Sequence, residues 1–372
     1  MRHILLSIIA TLGLLNCALA QETKWYDPME GDVCYIDCRI DHPEVRKNYH
    51  RIAESIQPQL RDAVWSLSKN SAGLTIRFYC NAPTITIKYK LENGTNMHNM
   101  APMGSSGVDL YSLDSKGYER WCAAPSGIVI RRGDESRYIY RDLVYNDSNK
   151  EGHLYELYLP LYNTVSSLKI GIPEGYALRF VEPDKQKPII VYGTSIAQGA
   201  SASRPGLAWT AILKREFDRP VINLGFSGNG RLEAPVVDYI CQVDAAIYIL
   251  DCIPNMCGML NTIAPRITEA VEKIRKVSSS PIIITEHCGT LHAEASPKSD
   301  EAHVLGNKEC RKAYEQLKKQ SVKGLYYLSK EDIGLSMDAS IDGWHPNDVG
   351  MFEYAEAYKK VIKKALKYSK QQ

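Results

Sequence analysis

Pro188-Ile-Ile-Val-Tyr192 runs straight into Gly193-Thr194-Ser195-Ile196-Ala197-Gln198-Gly199. Apolar residues without alternation describe a strand buried on both faces, which is the condition of a parallel sheet covered by helices. The glycines after it predict a tight turn that hands the chain to a helix. The same texture recurs at Val221-Ile-Asn-Leu224, Ala245-Ala-Ile-Tyr-Ile-Leu250 and Pro281-Ile-Ile-Ile-Thr285. Helix-like stretches separate these runs at Trp209–Phe217, Ile263–Val277 and Asn307–Gln320, and Val349–Tyr368 closes the chain. Strand alternating with helix predicts a doubly wound α/β domain.

Upstream the texture is different. Leu74–Phe78, Ile85–Tyr89, His153–Leu159 and Val165–Ile172 alternate apolar and polar residues, with Gly, Asn, Asp and Pro clusters between them. That period of two predicts antiparallel strands of a β-sandwich. Asn93-Gly94 and Gly133-Asp134 have the composition of hairpin turns. The polar, proline-flanked Asp184–Lys187 is the expected linker, dividing a sandwich domain over 21–185 from an α/β domain over 186–372.

The chain has 372 residues, with 44% hydrophobic and 24% charged residues, an ordinary soluble composition long enough for two domains. Its 45 Lys and Arg against 43 Asp and Glu leave a net charge of +2. That balance argues against nucleic acid as a partner, because phosphate binding needs a basic stripe. Arg2 and His3 precede an apolar run from Ile4 to Leu15, and Ala18-Leu19-Ala20 has the form of a cleavage site. A spanning helix needs ~20 apolar residues, so 1–20 reads as a secretory signal peptide and the chain as exported, with no membrane span. Cys17 sits where a lipoprotein cysteine would, but Asn16 fits that pattern poorly. Nine further cysteines in an exported chain suggest one to three disulfides beside buried thiols. Their spacings suit no metal site, and no cofactor is expected. Asn93-Gly-Thr95 and Asn146-Asp-Ser148 are formal glycosylation acceptors. Tyrosine is abundant at 23, against 5 Trp and 5 Phe, and this suits a sugar-contacting surface.

In an open α/β sheet, ligands bind beyond the carboxyl ends of the strands, so the residues after each apolar run carry the information. These are Ser195; Gly225 in Gly225-Phe-Ser-Gly-Asn-Gly230; Asn255 in Asp251-Cys-Ile-Pro-Asn255; and, before the last helix, Asp342-Gly-Trp-His345. Together they suffice for acyl transfer. Ser195 would attack, His345 would take its proton, and Asp342 would hold the imidazole. The Ser195 N–H, the Gly225 N–H and the Asn255 amide would face the oxyanion. Each block alone has a plainer reading, as a helix cap or a polar loop. Four blocks in order, three of them directly after buried strands, favour the triad.

Gly193-Thr-Ser195, Gly225, Asn255 and Asp342-x-x-His345 resemble, in order, the four blocks of the SGNH (GDSL-like) hydrolase superfamily. Thr194 stands where that family usually has Asp, and Cys252-Ile-Pro-Asn255-Met256 stands for its Gly-x-Asn-Asp. Gly107-Val-Asp-Leu-Tyr111 resembles the GxDLY signature of the β-rich N-terminal domain in a two-domain branch of these esterases. The resemblance implies a flavodoxin-like α/β/α domain and a serine esterase acting on small acyl groups, often acetyl on sugars. A classical α/β-hydrolase would need Gly-x-Ser-x-Gly, which Gly193-Thr-Ser-Ile-Ala197 lacks.

Trp344, His287, Trp209 and Arg204 are candidates for the substrate pocket, with Glu286, His292 and Glu294 near His287. The loop Met97-His-Asn-Met100 is a candidate to lean over the site, and Gly107–Tyr111 reads as a structural turn starting a strand. The expected partner is a small acyl ester or acetylated carbohydrate. Two alternatives stand beside hydrolysis: transfer of the acyl group to a sugar hydroxyl, and a carbohydrate-binding protein with an inactive hydrolase domain. The sequence leaves oligomeric state open.

Overall fold

The computed structural model describes residues 22–31, 33–113, 119–143 and 151–369. The segment 1–20 expected to be a leader, with Cys17, and the expected Asn146 acceptor lie outside the described residues. Among the described residues, ten strands build the N-terminal half: β1 (Thr23–Tyr26), β2 (Ile36–Asp37), β3 (Thr75–Cys80), β4 (Ile85–Leu91), β5 (Asp109–Leu113), β6 (Glu119–Cys122), β7 (Glu135–Tyr140), β8 (His153–Tyr158), β9 (Val165–Pro173) and β10 (Leu178–Phe180). They form two antiparallel sheets, β1-β9-β4-β7 and β10-β3-β8-β5-β6, with β2 paired to β3. The alternation seen in the sequence becomes burial. Ile85, Ile87, Tyr89 and Leu91 of β4 point inward, while Thr86, Lys88 and Lys90 point out. The inward residues of both sheets meet in one core with Ile76, Phe78, Leu110, Tyr155, Leu157 and Ile170.

Asn93-Gly94 departs from expectation. It follows the end of β4 but joins no hairpin, because the chain continues through a Met97–Met100 bridge into a short helix, α2, at Pro102–Ser106, after α1 at Asp62–Ser68. Gly133-Asp134 does turn the chain back, between the Val129–Arg137 bridge and β7, with Gly133 at φ 71°.

The second half is the parallel sheet: β11 (Ile189–Gly193), β12 (Val221–Gly225), β13 (Ile247–Asp251), β14 (Ile282–Thr285) and β15 (Leu325–Leu328), in the order β12-β11-β13-β14-β15. That is the flavodoxin-like order, with its topological switch point between β11 and β13. The intervening helices are α3 (Ser195–Gln198), α4 (Trp209–Phe217), α5 (Ala234–Ile240), α6 (Leu260–Val277), α7 (Glu301–Lys319), α8 (Lys330–Ile333) and α9 (Asp348–Ser369). In α6, Ile263, Ile267, Ala270, Val271 and Ile274 recur at helical spacing and form its buried stripe. One face of the sheet (Ile190, Tyr192, Ile222, Leu224, Tyr248, Leu250) packs on α5, α6 and α7. The other face (Ile189, Val191, Val221, Ile247, Ile249) packs on α4 and α9. Three layers result, as expected.

Side chains from the first half enter both of these cores. Ile40, Val45, Ile52, Val64 and Trp65 pack with Ile222, Phe226 and Val236. Met100, Tyr111, Tyr158 and Leu161 pack with Ile196, Ala202 and Trp209. The cysteines correct the sequence expectation. All nine among the described residues are free thiols, most of them buried, and they serve as small apolar core residues. Among the described residues, no helix is long and apolar enough to cross a membrane.

Candidate active site

Gly193 ends β11 and lies in register with Gly225 of β12 and Asp251 of β13. A Cβ on Gly193 would stand 2.5 Å from the Ala197 side chain, so only glycine lets the strand turn this sharply into α3. Ser195 is thereby the first residue of α3, where backbone N–H groups have no partner inside the helix. Its Oγ lies 2.9 Å from His345 Nε2. On the far side of the ring, His345 Nδ1 lies 2.7 Å from Asp342 Oδ2. The carboxylate requires Nδ1 to carry the proton, which leaves Nε2 to accept from the serine.

The Asp342–His345 loop is held from within. Asp342 Oδ1 accepts the backbone N–H groups of Trp344 at 3.1 Å and His345 at 2.8 Å. Ser340 Oγ accepts from Gly343 N at 2.8 Å and donates to His345 O at 2.9 Å. Partial burial works against the Asp342 charge, but the hydrogen bonds from His345 backbone and ring outweigh it and hold the carboxyl below its usual range. Gly343 takes φ 90° with its face against the His292 ring, a position closed to a side chain.

The candidate oxyanion donors fare differently. Gly225 N–H donates to Asn223 Oδ1 at 2.9 Å, so it is already committed and not free to face a substrate. This corrects the expectation for Gly225. Three residues on, Gly228 has φ 68°, open space where a Cβ would be and, among the described residues, no hydrogen-bond partner for its N–H. Its loop is tied to the nucleophile turn, because Phe226 N donates to Gly193 O at 3.0 Å. The Asn255 amide reaches the same loop, donating to Phe226 O at 3.4 Å. Sequence points to the glycine that ends the apolar run, whereas the Asn223 side chain that satisfies Gly225 is a tertiary fact.

Of the pocket candidates, Trp344 is 41% exposed beside His345 and meets the His292 ring edge to face at 5.5 Å. The other three are corrected. Trp209 is fully buried, stacked on Tyr358 at 4.3 Å, and its indole N–H donates to Ile196 O at 3.0 Å. It packs α4 against α9 and forms no rim. Arg204 donates to Asp109 Oδ2 and Tyr111 Oη, both at 2.6 Å, and lies over the Trp121 ring. Asp109 also accepts Gly206 N at 3.0 Å. The Gly107–Tyr111 stretch therefore clamps the loop after α3 through Asp109 and Tyr111. His287 is buried, accepts the Gly289 N–H at 2.7 Å and stacks on His303 at 3.9 Å. Burial and the neighbouring His303 push it down to about 3, so it stays neutral beneath the surface. Glu286 is likewise structural, bound by Arg311, Tyr327 and the Lys330 N–H.

Several residues of the first half reach this site, and Tyr162 Oη donates to Ser195 O at 3.3 Å. Asn99, in the loop expected to lean over it, places Nδ2 3.4 Å from both Asp342 Oδ2 and His345 Nδ1. Arg51 is buried at 1% exposure and donates to four carbonyls: Leu67 O at 2.7 Å, Asn70 O at 2.9 Å, Asn223 O at 3.0 Å and Gly225 O at 2.8 Å. Its guanidinium also lies 5.0 Å from the Phe226 ring centre. Among the described residues, no cluster of three or more His, Cys, Asp or Glu is arranged to hold a metal.

Residues 186–363 match the model of the GDSL-like lipase/acylhydrolase family, and residues 23–178 match the GxDLY model, the N-terminus of SGNH-hydrolase-type esterases. No curated protein matches the sequence. A protein described as a GDSL-like lipase, from Bacteroides ovatus ATCC 8483, is 30% identical over 93% of this chain and 98% of its own, with a TM-score of 0.81. The salicylyl-acyltransferase SsfX3 from a tetracycline biosynthetic pathway is similar at 15% identity, over 92% of this chain and 97% of its own, with a TM-score of 0.69. A family two carbohydrate esterase from Cellvibrio japonicus follows at 11% identity, over 94% and 99%, with a TM-score of 0.54. These last two are likenesses of fold. With both halves matched and a relative similar along nearly its whole length, the chain belongs to the SGNH (GDSL-like) lipase/acylhydrolase family.

Proposed function

We propose that this protein is an exported serine esterase that removes short acyl groups, acetyl first among them, from carbohydrate. The observation that carries the reading is the continuous Ser195–His345–Asp342 contact, 2.9 Å and 2.7 Å long. In this mechanism His345 Nε2 takes the Ser195 proton as Oγ attacks the ester carbonyl. Asp342 Oδ2 stabilises the imidazolium that forms and keeps the ring in the tautomer that can accept. The oxyanion is met by the Ser195 N–H, the Gly228 N–H and the Asn255 amide. His345 then returns the proton to the leaving alcohol, and water repeats the sequence to release the acid and free Ser195. Trp344, exposed beside the base, is the wall against which the alcohol portion lies. The leader at 1–20 and the near-zero net charge support an extracellular, uncharged substrate.

Acid release from p-nitrophenyl acetate and from acetylated xylan, compared between wild type and Ser195→Ala, tests the reading. Removal of the nucleophile is expected to lower kcat by roughly 10⁴-fold or more. Equal rates in the two proteins would overturn it. A sugar acceptor added to the same assay shows whether the acyl group passes to a hydroxyl instead of water, the outcome that would make the protein a transferase.

A further inference from the structure

Asn99 brings the sandwich half against the acid–base pair, and its chemistry is out of place for a purely structural residue. It is 7% exposed, and its Oδ1 is buried with no hydrogen-bond partner. An orphaned buried acceptor destabilises, and an apolar residue of similar size would remove that penalty. The other end of the amide explains its presence, with Nδ2 3.4 Å from Asp342 Oδ2 and 3.4 Å from His345 Nδ1. The opposite amide orientation would set Oδ1 against a carboxylate. The loop presenting it is fixed, since buried Asn163 donates to Asn93 O at 3.1 Å and Gly94 O at 3.3 Å, and Ser105 Oγ donates to Thr95 O at 3.2 Å.

We propose that Asn99 is a positioning residue that sets the basicity of His345: its amide donates to Asp342 Oδ2, drawing charge from the oxygen that faces the imidazole. The proposal rests on the triad assigned above. Asp342 does not need Asn99 to stay in place, because its Oδ1 is held by two backbone N–H groups of its own loop. The remaining effect of the amide is therefore electrostatic. A partial positive charge beside Nδ1–H, and a carboxylate shared with a second donor, both disfavour the imidazolium. The other titratable groups around it are His287 and His292 from the loop after β14, the first kept neutral by burial, and exposed His98 next to Asn99 in the chain.

The test is the pH dependence of kcat/KM for p-nitrophenyl acetate between pH 5 and 8.5 in wild type, Asn99→Ala and Asn99→Asp. It is paired with an NMR titration of the His345 ring in the full chain. The acid limb and the imidazole midpoint are expected to move to higher pH, by about half a unit in Asn99→Ala and about one unit in Asn99→Asp. Activity on the acid limb then falls about threefold and tenfold, with the alkaline plateau much less affected. Asn99→Asp keeps the side-chain shape and serves where Asn99→Ala loosens the loop. Unchanged midpoints in both variants, or a move to lower pH, would overturn the proposal. If the wild type shows no esterase activity, the triad reading fails, while the imidazole titration still decides the role of Asn99.

Discussion

The parallel-sheet half and the sandwich half contribute to the site in opposite ways. In the first, Ser195, Gly228 and Asn255 follow strands whose carboxyl ends all lie on one edge, and the Asp342–His345 loop precedes the last helix. Parallel pairing alone brings such residues together, since every strand exits on the same side. The sandwich is antiparallel and its strand ends scatter; its two sheets share a core of their own, while Tyr111 and Tyr158 pack into the core beside α4 and α9. It acts through single side chains: Arg51 under the strand end at Gly225, Asn99 against the acid–base pair, and Asp109 on the loop after the nucleophile helix. The comparison teaches that the parallel-sheet half gathers the candidate catalytic residues by topology and the sandwich half contributes placement by packing.

The largest expected effect belongs to the half that carries the proposed triad. Asp342→Asn should lower kcat on a short acyl ester by about 10⁴-fold, because the amide no longer favours the accepting tautomer of His345. Its melting temperature should change little, since the Asn oxygen can still accept the Trp344 and His345 N–H groups; a loss below tenfold breaks the division of roles. Next comes the reach of the sandwich half. Arg51→Ala strips a donor from four carbonyls, three of them buried, and should lower the unfolding free energy by about 3 kcal/mol or more in denaturant titration, with Arg51→Lys recovering part of it. A loss within about 0.5 kcal/mol, as for an ordinary surface site, would mean that the two halves stand independently.

The smallest effect probes the interior of the sheet beneath the nucleophile. Burial raises Asp251 from 3.8 to about 7, offset in part by the Tyr358 hydroxyl. The folded state therefore holds a proton that the unfolded chain gives up, and this group's contribution falls as pH rises from about 4 to about 7. His287, depressed from 6.5 to about 3, works the other way and gains over much of the same window. Asp251→Asn removes the first trend. Its melting temperature relative to wild type should be higher at pH 7.5 than at pH 5, by the equivalent of about 1 kcal/mol or more. An equal difference at both pH values would show that Asp251 does not titrate in that range.

Much of the site was legible because its residues follow strong local patterns. Ser195 comes after an unbroken apolar strand, and Asp342 and His345 share one loop, so their proximity needs no long-range information. The misses share a cause. Trp209 read as a rim residue because it stands close to Ser195 in sequence, yet the 3.6-residue period turns it inward onto Tyr358. Arg204 read as a pocket candidate for the same reason, but its partner Asp109 is 95 residues away. The disulfide expectation followed from export and cysteine number, whereas burial made the thiols core residues.

The sequence by itself determined the two textures of strand, the order of the parallel-sheet elements and the family blocks, because periodicity and turn chemistry act over a few residues. Only the tertiary structure decided that Gly225 spends its N–H on Asn223 while Gly228 keeps its own, and that Arg51 and Asn99 belong to the site. The Asn99 contact to His345 spans 246 residues and the Arg51 contact to Gly225 spans 174. No local preference encodes such pairings; they exist because two packed halves leave buried carbonyls and one carboxylate needing donors, and these side chains supply them.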